Sequence, residues 1–303
     1  MTSTISFPGL GIGEFTINRT AFTIFGINVQ WYGLILTTGI LVAFILFYRR
    51  AIKTERLTED DVLNVTLLTV PISIIGARIV YVLTTWSDGK YKTFYDVIAI
   101  WEGGIAIYGA VLGAFIFGGL AAKWRKVPLL PLFDLVSLGF LIGQGVGRWG
   151  NFVNQEAFGT NTTLPWGMYS EGTEAYLRSV QVTLPAGMTV DPTAPVHPTF
   201  LYESIWCLVG FLALAAFFKK RRFNGQIFLG YVIWYGLGRA WIEGLRTDSL
   251  WLIPGVIRVS QLLGAVSFAI AAALLIFFCI KFRKRTPILE SHPIAVADNT
   301  EKE

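Results

Sequence analysis

Cysteine and histidine are nearly missing from this 303-residue chain, with two of each. Cys207 and Cys279 both fall inside long apolar runs, which argues against a disulfide framework and a cysteine-based metal site. His197 and His292 are too few for most zinc sites, so neither a metal nor a cofactor is expected. The first 31 residues lack a basic start followed by an apolar core, so a cleaved signal peptide is not expected and the first apolar run must direct insertion. Charge is scarce as well, at 15% of residues. What fills the space is apolar: 53% of the chain is hydrophobic, with a mean hydropathy of +0.56.

These apolar residues are not scattered as in a soluble core. Seven runs approach or exceed the roughly 20 residues needed to cross about 30 Å of hydrocarbon. They are Tyr32–Tyr48, Val62–Leu83, Gly104–Ala122, Pro128–Gly147, Phe200–Phe218, Gln226–Glu243 and Val259–Ile280. The expected fold is an all-α integral membrane protein of seven transmembrane helices with a small external cap. Basic residues set its orientation, because short loops rich in Lys and Arg stay in the cytoplasm. Arg49, Arg50, Lys53 and Arg56 follow the first run, and Lys123, Arg125 and Lys126 the third. Lys219, Lys220, Arg221 and Arg222 follow the fifth, and Lys281, Arg283, Lys284, Arg285 and Lys302 the seventh. The N-terminus is therefore expected outside and the C-terminus in the cytoplasm. The formal charge of +5 follows from this distribution and gives no reason to invoke nucleic acid.

Residues 1–31 read as an external arm with strand-like alternation, and residues 32–285 as one membrane domain. A long external loop at about 151–199 holds a short extended segment and Pro-rich turns, and the tail 286–303 is polar and expected to be disordered. No internal repeat is visible. Gly139, Gly143 and Gly147 recur every fourth residue, a spacing that lets helices approach closely, and Gly109 and Gly113 offer a matching surface. "GQGVGRWG" has the look of a dinucleotide glycine motif, but it follows no strand and opens no βαβ unit.

Ionisable residues inside spans are functional suspects, although an arginine at a helix end is more often an anchor reaching for the interface. Arg78, Arg148, Glu203, Arg239 and Glu243 all fall at the external ends of their spans, and Asp134 alone lies near the cytoplasmic side. Tyr235, Arg239, Glu243 and Arg246 are spaced by four, four and three, so they share one helical face. "GRWGNFVNQEAFG" adds Arg148, Asn151, Asn154 and Glu156 at the same depth. The planar fork of arginine suits phosphate, so two arginines at headgroup depth suggest a phospholipid headgroup; a structural salt-bridge network is the competing reading.

"GRWGNFVNQEAFG" also resembles the signature of the prolipoprotein diacylglyceryl transferases, a bacterial membrane enzyme family of seven spans. The resemblance extends to "WYGL" (31–34), "GARIVYV" (76–82), "WEGGIAIYGAVLG" (101–113), "HPTFLYE" (197–203) and "YGLGRAWIEGLRTD" (235–248), in the family's order. It implies an enzyme of the bacterial cytoplasmic (inner) membrane that acts in lipoprotein biosynthesis. Its partners are phosphatidylglycerol, the lipid bilayer and prolipoprotein signal peptides carrying a lipobox cysteine. The diacylglyceryl group moves to that cysteine, a thioether forms and glycerol-1-phosphate leaves. The resemblance places Arg148 and Arg239 on the lipid phosphate, has Asn151, Glu156 and Gly159 complete the signature, and implies roles for Tyr32, Tyr235 and Glu243. One position departs: many members have a histidine where this chain has Tyr108, so a histidine base does not carry over. Tyr108 is instead expected to orient the headgroup or thiol, with Arg148, Arg239 and Arg246 lowering the thiol's pKa.

Three other classes compete. A transporter for an anionic substrate predicts broken helices and repeated halves, neither visible here. A retinal-type receptor needs a lysine in the seventh run, which has none. A lipid-binding assembly factor is not excluded by composition.

Overall fold

A computed structural model describes residues 2–55, 57–100, 103–181, 189–247, 249 and 251–288, apart from the side chains of Ile27, Ile107 and Tyr108. Strands β1 (Thr2–Phe7), β2 (Ile12–Asn18), β3 (Thr20–Ile24) and β4 (Ile27–Gln30) come first. Two long helices follow, α1 (Trp31–Glu55) and α2 (Glu59–Thr84), then a single turn, α3 (Phe94–Ile98), and α4 (Ile107–Trp124). Helix α5 (Leu129–Asn154) leads into β5 (Tyr169–Ser170) and α6 (Glu171–Val180). The remainder is α7 (Thr199–Phe217), α8 (Gln226–Leu245), β6 (Trp251–Ile253), β7 (Ile257–Arg258) and α9 (Val259–Lys281).

Each of the seven apolar runs falls on one of the helices α1, α2, α4, α5, α7, α8 and α9. Five of these are long and apolar enough to cross a membrane: α1, α2, α5, α9, and α7 continued through one further turn to Lys220. The apolar stretch of α4, Gly109–Trp124, is shorter. Helix α8 has 20 residues, but Arg239 and Glu243 occupy its last two turns. Helix α5 runs seven residues past the expected end at Gly147, so "GRWGNFVN" is helical and only the rest of that motif is loop.

The chain divides into two compact units: residues Tyr48–Phe133, and Met1–Phe47 together with Asp134–Glu303. In the former, α2 starts where Thr58 accepts the Asp61 N–H at 3.1 Å, and Glu59, Asp60 and Asp61 face the helix N-terminus. Glycine lets α2 and α4 touch: a Cβ on Gly76 would stand 2.8 Å from the Gly109 carbonyl oxygen, and one on Gly113 3.0 Å from Ser73 Cα. In the larger unit, a Cβ on Gly139 would meet Ala43 of α1 at 3.5 Å. Gly109 and Gly113 thus serve the approach of α4 to α2, and Gly139 the approach of α5 to α1.

The larger unit also holds the strands expected of the N-terminal arm. β2, β1 and β5 form an antiparallel sheet, and Ile5 of β1 packs with Phe158, Met168, Leu177, Val190, Val196 and Phe200 in a small core. Helix α6 in that core was not foreseen. Its start is a capping box in which the Ser170 side chain accepts the Thr173 N–H at 3.0 Å and the Thr173 side chain accepts the Ser170 N–H at 3.1 Å. The segment 182–188 and the tail from residue 289, with the expected disorder there, lie outside the described residues.

Helices α7 and α8 are locked together by Trp206 and Trp234. Each indole N–H donates to the other residue's backbone carbonyl, at 2.9 and 2.8 Å, and the rings stack with centroids 4.4 Å apart. At the far end of α8, Asp134 is fully buried and accepts the N–H groups of Gly225 and Phe228, each at 2.9 Å. That carboxylate satisfies orphan donors at the helix N-terminus and faces buried Arg221 at 3.7 Å. The one charge at the opposite end of its span is therefore a helix cap.

Candidate active site

The tryptophan pair fixes where α7 and α8 present their polar faces, because Glu203 lies three residues before Trp206 and Tyr235 directly after Trp234. Three guanidiniums converge on Glu203. Arg148 of α5 reaches its Oε2 at 2.5 Å, while Arg239 and Arg246 face its Oε1 at 3.5 and 3.9 Å. Glu243 holds the other edge of Arg239 at 2.6 Å. The carboxylate side chains are 6% and 3% exposed for Glu203 and Glu243, against 13–20% for the three arginines. The acids are thus more deeply buried than the arginines around them. Three positive charges on two negative ones leave a net positive face, suited to an anion. A small cavity beside it is lined by Glu203, Trp206, Cys207, Tyr235, Arg239 and Ile242.

The second half of the site comes from the end of α5. Asn151 accepts from Arg148 at 3.3 Å and donates to Glu156 at 2.9 Å, so it couples the arginine cluster to that carboxylate. Asn154 donates to the same Glu156 oxygen at 3.3 Å. Gln155 and Ala157, on either side of Glu156, have φ of 56° and 57°, a left-handed conformation that is uncommon for residues with a side chain. Thr199 helps hold this turn by donating to the Ala157 carbonyl at 2.5 Å. Tyr32 of α1 lies against Gly150, where a Cβ would stand 2.6 Å from its ring.

Gly159 works through its backbone. Its N–H donates to the His197 carbonyl at 2.9 Å, and a Cβ there would meet His197 Cβ at 2.6 Å and the Leu245 carbonyl oxygen at 3.0 Å. The next residue, Thr160, bonds Leu245 at 2.7 Å, which draws the C-terminus of α8 and Arg246 to this loop. His197 itself pairs its Nδ1 with the Tyr202 hydroxyl at 3.1 Å, and the Trp166 indole donates to that hydroxyl at 2.7 Å. Burial lowers the pKa of His197 below its ordinary value, favouring the neutral ring.

Of the expected site residues, Arg148, Arg239, Glu243, Arg246 and Tyr235 come together, and Asn151, Glu156 and Tyr32 lie next to them. The Tyr108 side chain falls outside the described residues. Sequence reasoning named Glu203 among the ionisable residues at external span ends but gave it no role in the site; a lone glutamate at a helix start gives no sign of three arginines from elsewhere. It also read Arg78 as one of several polar ends. In the smaller unit Arg78 is buried and donates to four backbone carbonyls, those of Asp96, Val97, Gly103 and Gly104, each at 2.7 Å. Gly103 and Gly104 have φ of 92° and 79°, and this clamped turn leads directly into α4.

A family model described as prolipoprotein diacylglyceryl transferase matches residues 19–277. Curated relatives named phosphatidylglycerol–prolipoprotein diacylglyceryl transferase include that of Pediococcus pentosaceus, 39% identical over 276 residues, which cover 89% of this chain and 94% of the relative. That of Finegoldia magna is 39% identical over 89% of this chain and 97% of the relative. For Lysinibacillus sphaericus the identity is 39%, with coverages of 91% and 97%. Together with the apolar helices, these matches make it a multi-pass membrane protein, and the chain belongs to the prolipoprotein diacylglyceryl transferase family.

Proposed function

We infer that this chain transfers the diacylglyceryl group of phosphatidylglycerol to the lipobox cysteine of a prolipoprotein, the first step of bacterial lipoprotein maturation. The observation that carries the reading is the convergence of Arg148, Arg239 and Arg246 on one carboxylate that is more deeply buried than any of them. A phosphodiester suits such a cluster, because guanidinium forks pair with phosphate oxygens and low dielectric strengthens the pairing.

The chemistry then balances without a further reagent. The substrate's thiol attacks the glyceryl carbon, a carbon–sulfur bond forms and the carbon–oxygen bond to phosphate breaks. The electron pair leaves with glycerol-1-phosphate, whose freed phosphate oxygen takes up the thiol proton. Arg148 and Arg239 stabilise the charge developing on that oxygen, and one such preorganised donor is typically worth about 2.7–4 kcal/mol. Arg246 adds positive potential that favours the thiolate, since a free thiol has a pKa near about 8.5. Glu243 and Glu203 orient the arginines. Asn151, Glu156, Tyr32 and Tyr235 line the lipid's approach, Gly159 sets the loop beside Arg246, and Tyr108 orients headgroup or thiol.

The seven apolar helices span the cytoplasmic membrane, with the N-terminus and the cap outside and the C-terminus inside. This reading follows from the alternation of basic loops. It puts the arginine cluster at the outer face, where exported prolipoproteins arrive. Mass spectrometry of purified protein with phosphatidylglycerol and a lipobox peptide tests the activity: a diacylglyceryl adduct on the peptide cysteine is expected, and lipid binding without an adduct would make the chain a non-catalytic lipid-binding factor. Single cysteines at 189–196 should react with an impermeant thiol reagent in intact cells, and labelling only after lysis would overturn the orientation.

A further inference from the structure

We propose that the β3–β4 hairpin is a membrane-surface foot, seated in the lipid headgroup layer at the end of α1. Among the described residues the two strands pair only with each other, and Phe25 and Gly26 make the turn. One face is polar and satisfied within itself: Thr23 lies opposite Asn28 and donates to its side chain at 2.7 Å. The other face is apolar. Phe22 pairs across the strands with Val29, and Ile24 lies two residues further along the same side. Phe22 and Ile24 are exposed, and Phe25 at the tip is 100% exposed.

The turn sharpens the argument. Phe25 and Gly26 have φ of 49° and 80°, a geometry for which Asn-Gly is the favoured pair. A phenylalanine in a left-handed conformation is strained, and among the described residues this one has no packing partner that would compensate. A two-stranded hairpin is also marginal in water unless something covers its apolar face. The cover is set by continuity with the membrane. β4 runs straight into α1, the Trp31 N–H donates to the Arg19 carbonyl at 2.9 Å and so closes the hairpin's base, and Trp31 and Tyr32 are the exposed aromatics of a span end. A strand of five residues is about 15 Å long, so the whole hairpin stays within reach of the headgroup layer. Arg19, half-buried at the base of the hairpin, adds a positive charge at the end of α1, of the sign that anionic headgroups attract.

Spin labels on cysteines introduced at Phe22, Thr23 and Phe25 read the depth of each face. A Cys279→Ser background leaves only Cys207, which is buried and serves as the unlabelled control. In liposomes of phosphatidylglycerol and phosphatidylethanolamine without any polypeptide substrate, dissolved oxygen should collide with the labels at 22 and 25 more often than a water-soluble nickel complex does. The order should reverse at 23. Asparagine suits the turn, so Phe25→Asn should leave the thermal midpoint in detergent unchanged or higher, and yet shift the label at 22 toward the nickel complex. Preference for nickel at all three positions would place the hairpin in water. Shielding of 22 and 25 from both reagents would mean that protein, such as a second copy of the chain, covers that face. Either result overturns the proposal.

Discussion

The Arg148 guanidinium stands 2.5 Å from Oε2 of Glu203, so a buried carboxylate holds one side of the arginine cluster. An anion bound by the cluster must share those guanidiniums with Glu203. Replacing Glu203 by Gln removes the competing charge and also loosens the arginines. Glu203→Gln should therefore bind glycerol-1-phosphate more tightly, with stronger product inhibition, and turn over more slowly by about a hundredfold, the scale of one misplaced electrostatic donor. Steady-state kinetics with added glycerol-1-phosphate checks both halves. Weaker inhibition together with slower turnover would show that Glu203 only supports folding.

Arg148 and Arg239 distinguish a phosphate ligand from an interface anchor. A lysine keeps the charge but presents a single point instead of a fork. Arg148→Lys and Arg239→Lys should each insert normally in the membrane and lose most transfer activity, measured as adduct formed per unit of membrane-inserted protein. Near-normal turnover in both variants would favour the anchor reading.

The helical positions and the arginines were legible in the sequence because both signals are local. Seven apolar runs mark seven helices, and the spacing Tyr235, Arg239, Glu243, Arg246 marks one helical face. What was not legible depends on distant partners. Glu203 gains its place only when α5 and α8 bring three arginines to it. The Trp206–Trp234 lock joins residues 28 apart through backbone carbonyls that carry no sequence signature. Helix α6 was hidden because Ser170 and Thr173 mark a helix start within a stretch otherwise rich in turn residues.

Arg78 shows the same contrast and gives its own prediction. An arginine at a span end that merely reaches the interface tolerates lysine, whereas one that feeds four carbonyls does not. Hydrogen bonds from a charged donor are worth roughly 1.5–3 kcal/mol each when buried. Arg78→Lys should lower the thermal midpoint in detergent and reduce turnover by about tenfold or more, through the turn that leads into α4. Unchanged stability and activity would return Arg78 to the class of interface anchors.

His197 gives a dependence on pH. Its pKa is lowered in the folded protein by burial, so the unfolded chain, titrating near about 6.5, binds the proton more readily. Above that pH the ring is neutral in both states and costs nothing. As pH falls through the unfolded value toward the depressed folded one, stability is lost. The thermal midpoint should therefore drop on going from pH 7.5 to 5.5, and the drop should be smaller in His197→Gln. An equal drop in both proteins would assign the acid sensitivity to other groups.

Tyr108 occupies the second position of α4, where many family members have a histidine. An unperturbed phenol has a pKa near about 10, which makes it a poor proton acceptor at neutral pH. The proposed mechanism does not require one there, since positive potential from Arg148, Arg239 and Arg246 favours the thiolate and the departing phosphate oxygen takes up the proton. Tyr108 is then needed only to orient headgroup or thiol through its hydroxyl. Tyr108→Phe should reduce turnover by about ten- to a hundredfold, less than the loss expected at a group that transfers the proton. Tyr108→His should stay active, because an imidazole N–H can orient the same partner. Complete inactivity of Tyr108→Phe, with membrane insertion and lipid binding intact, would mean that the phenol itself carries the proton.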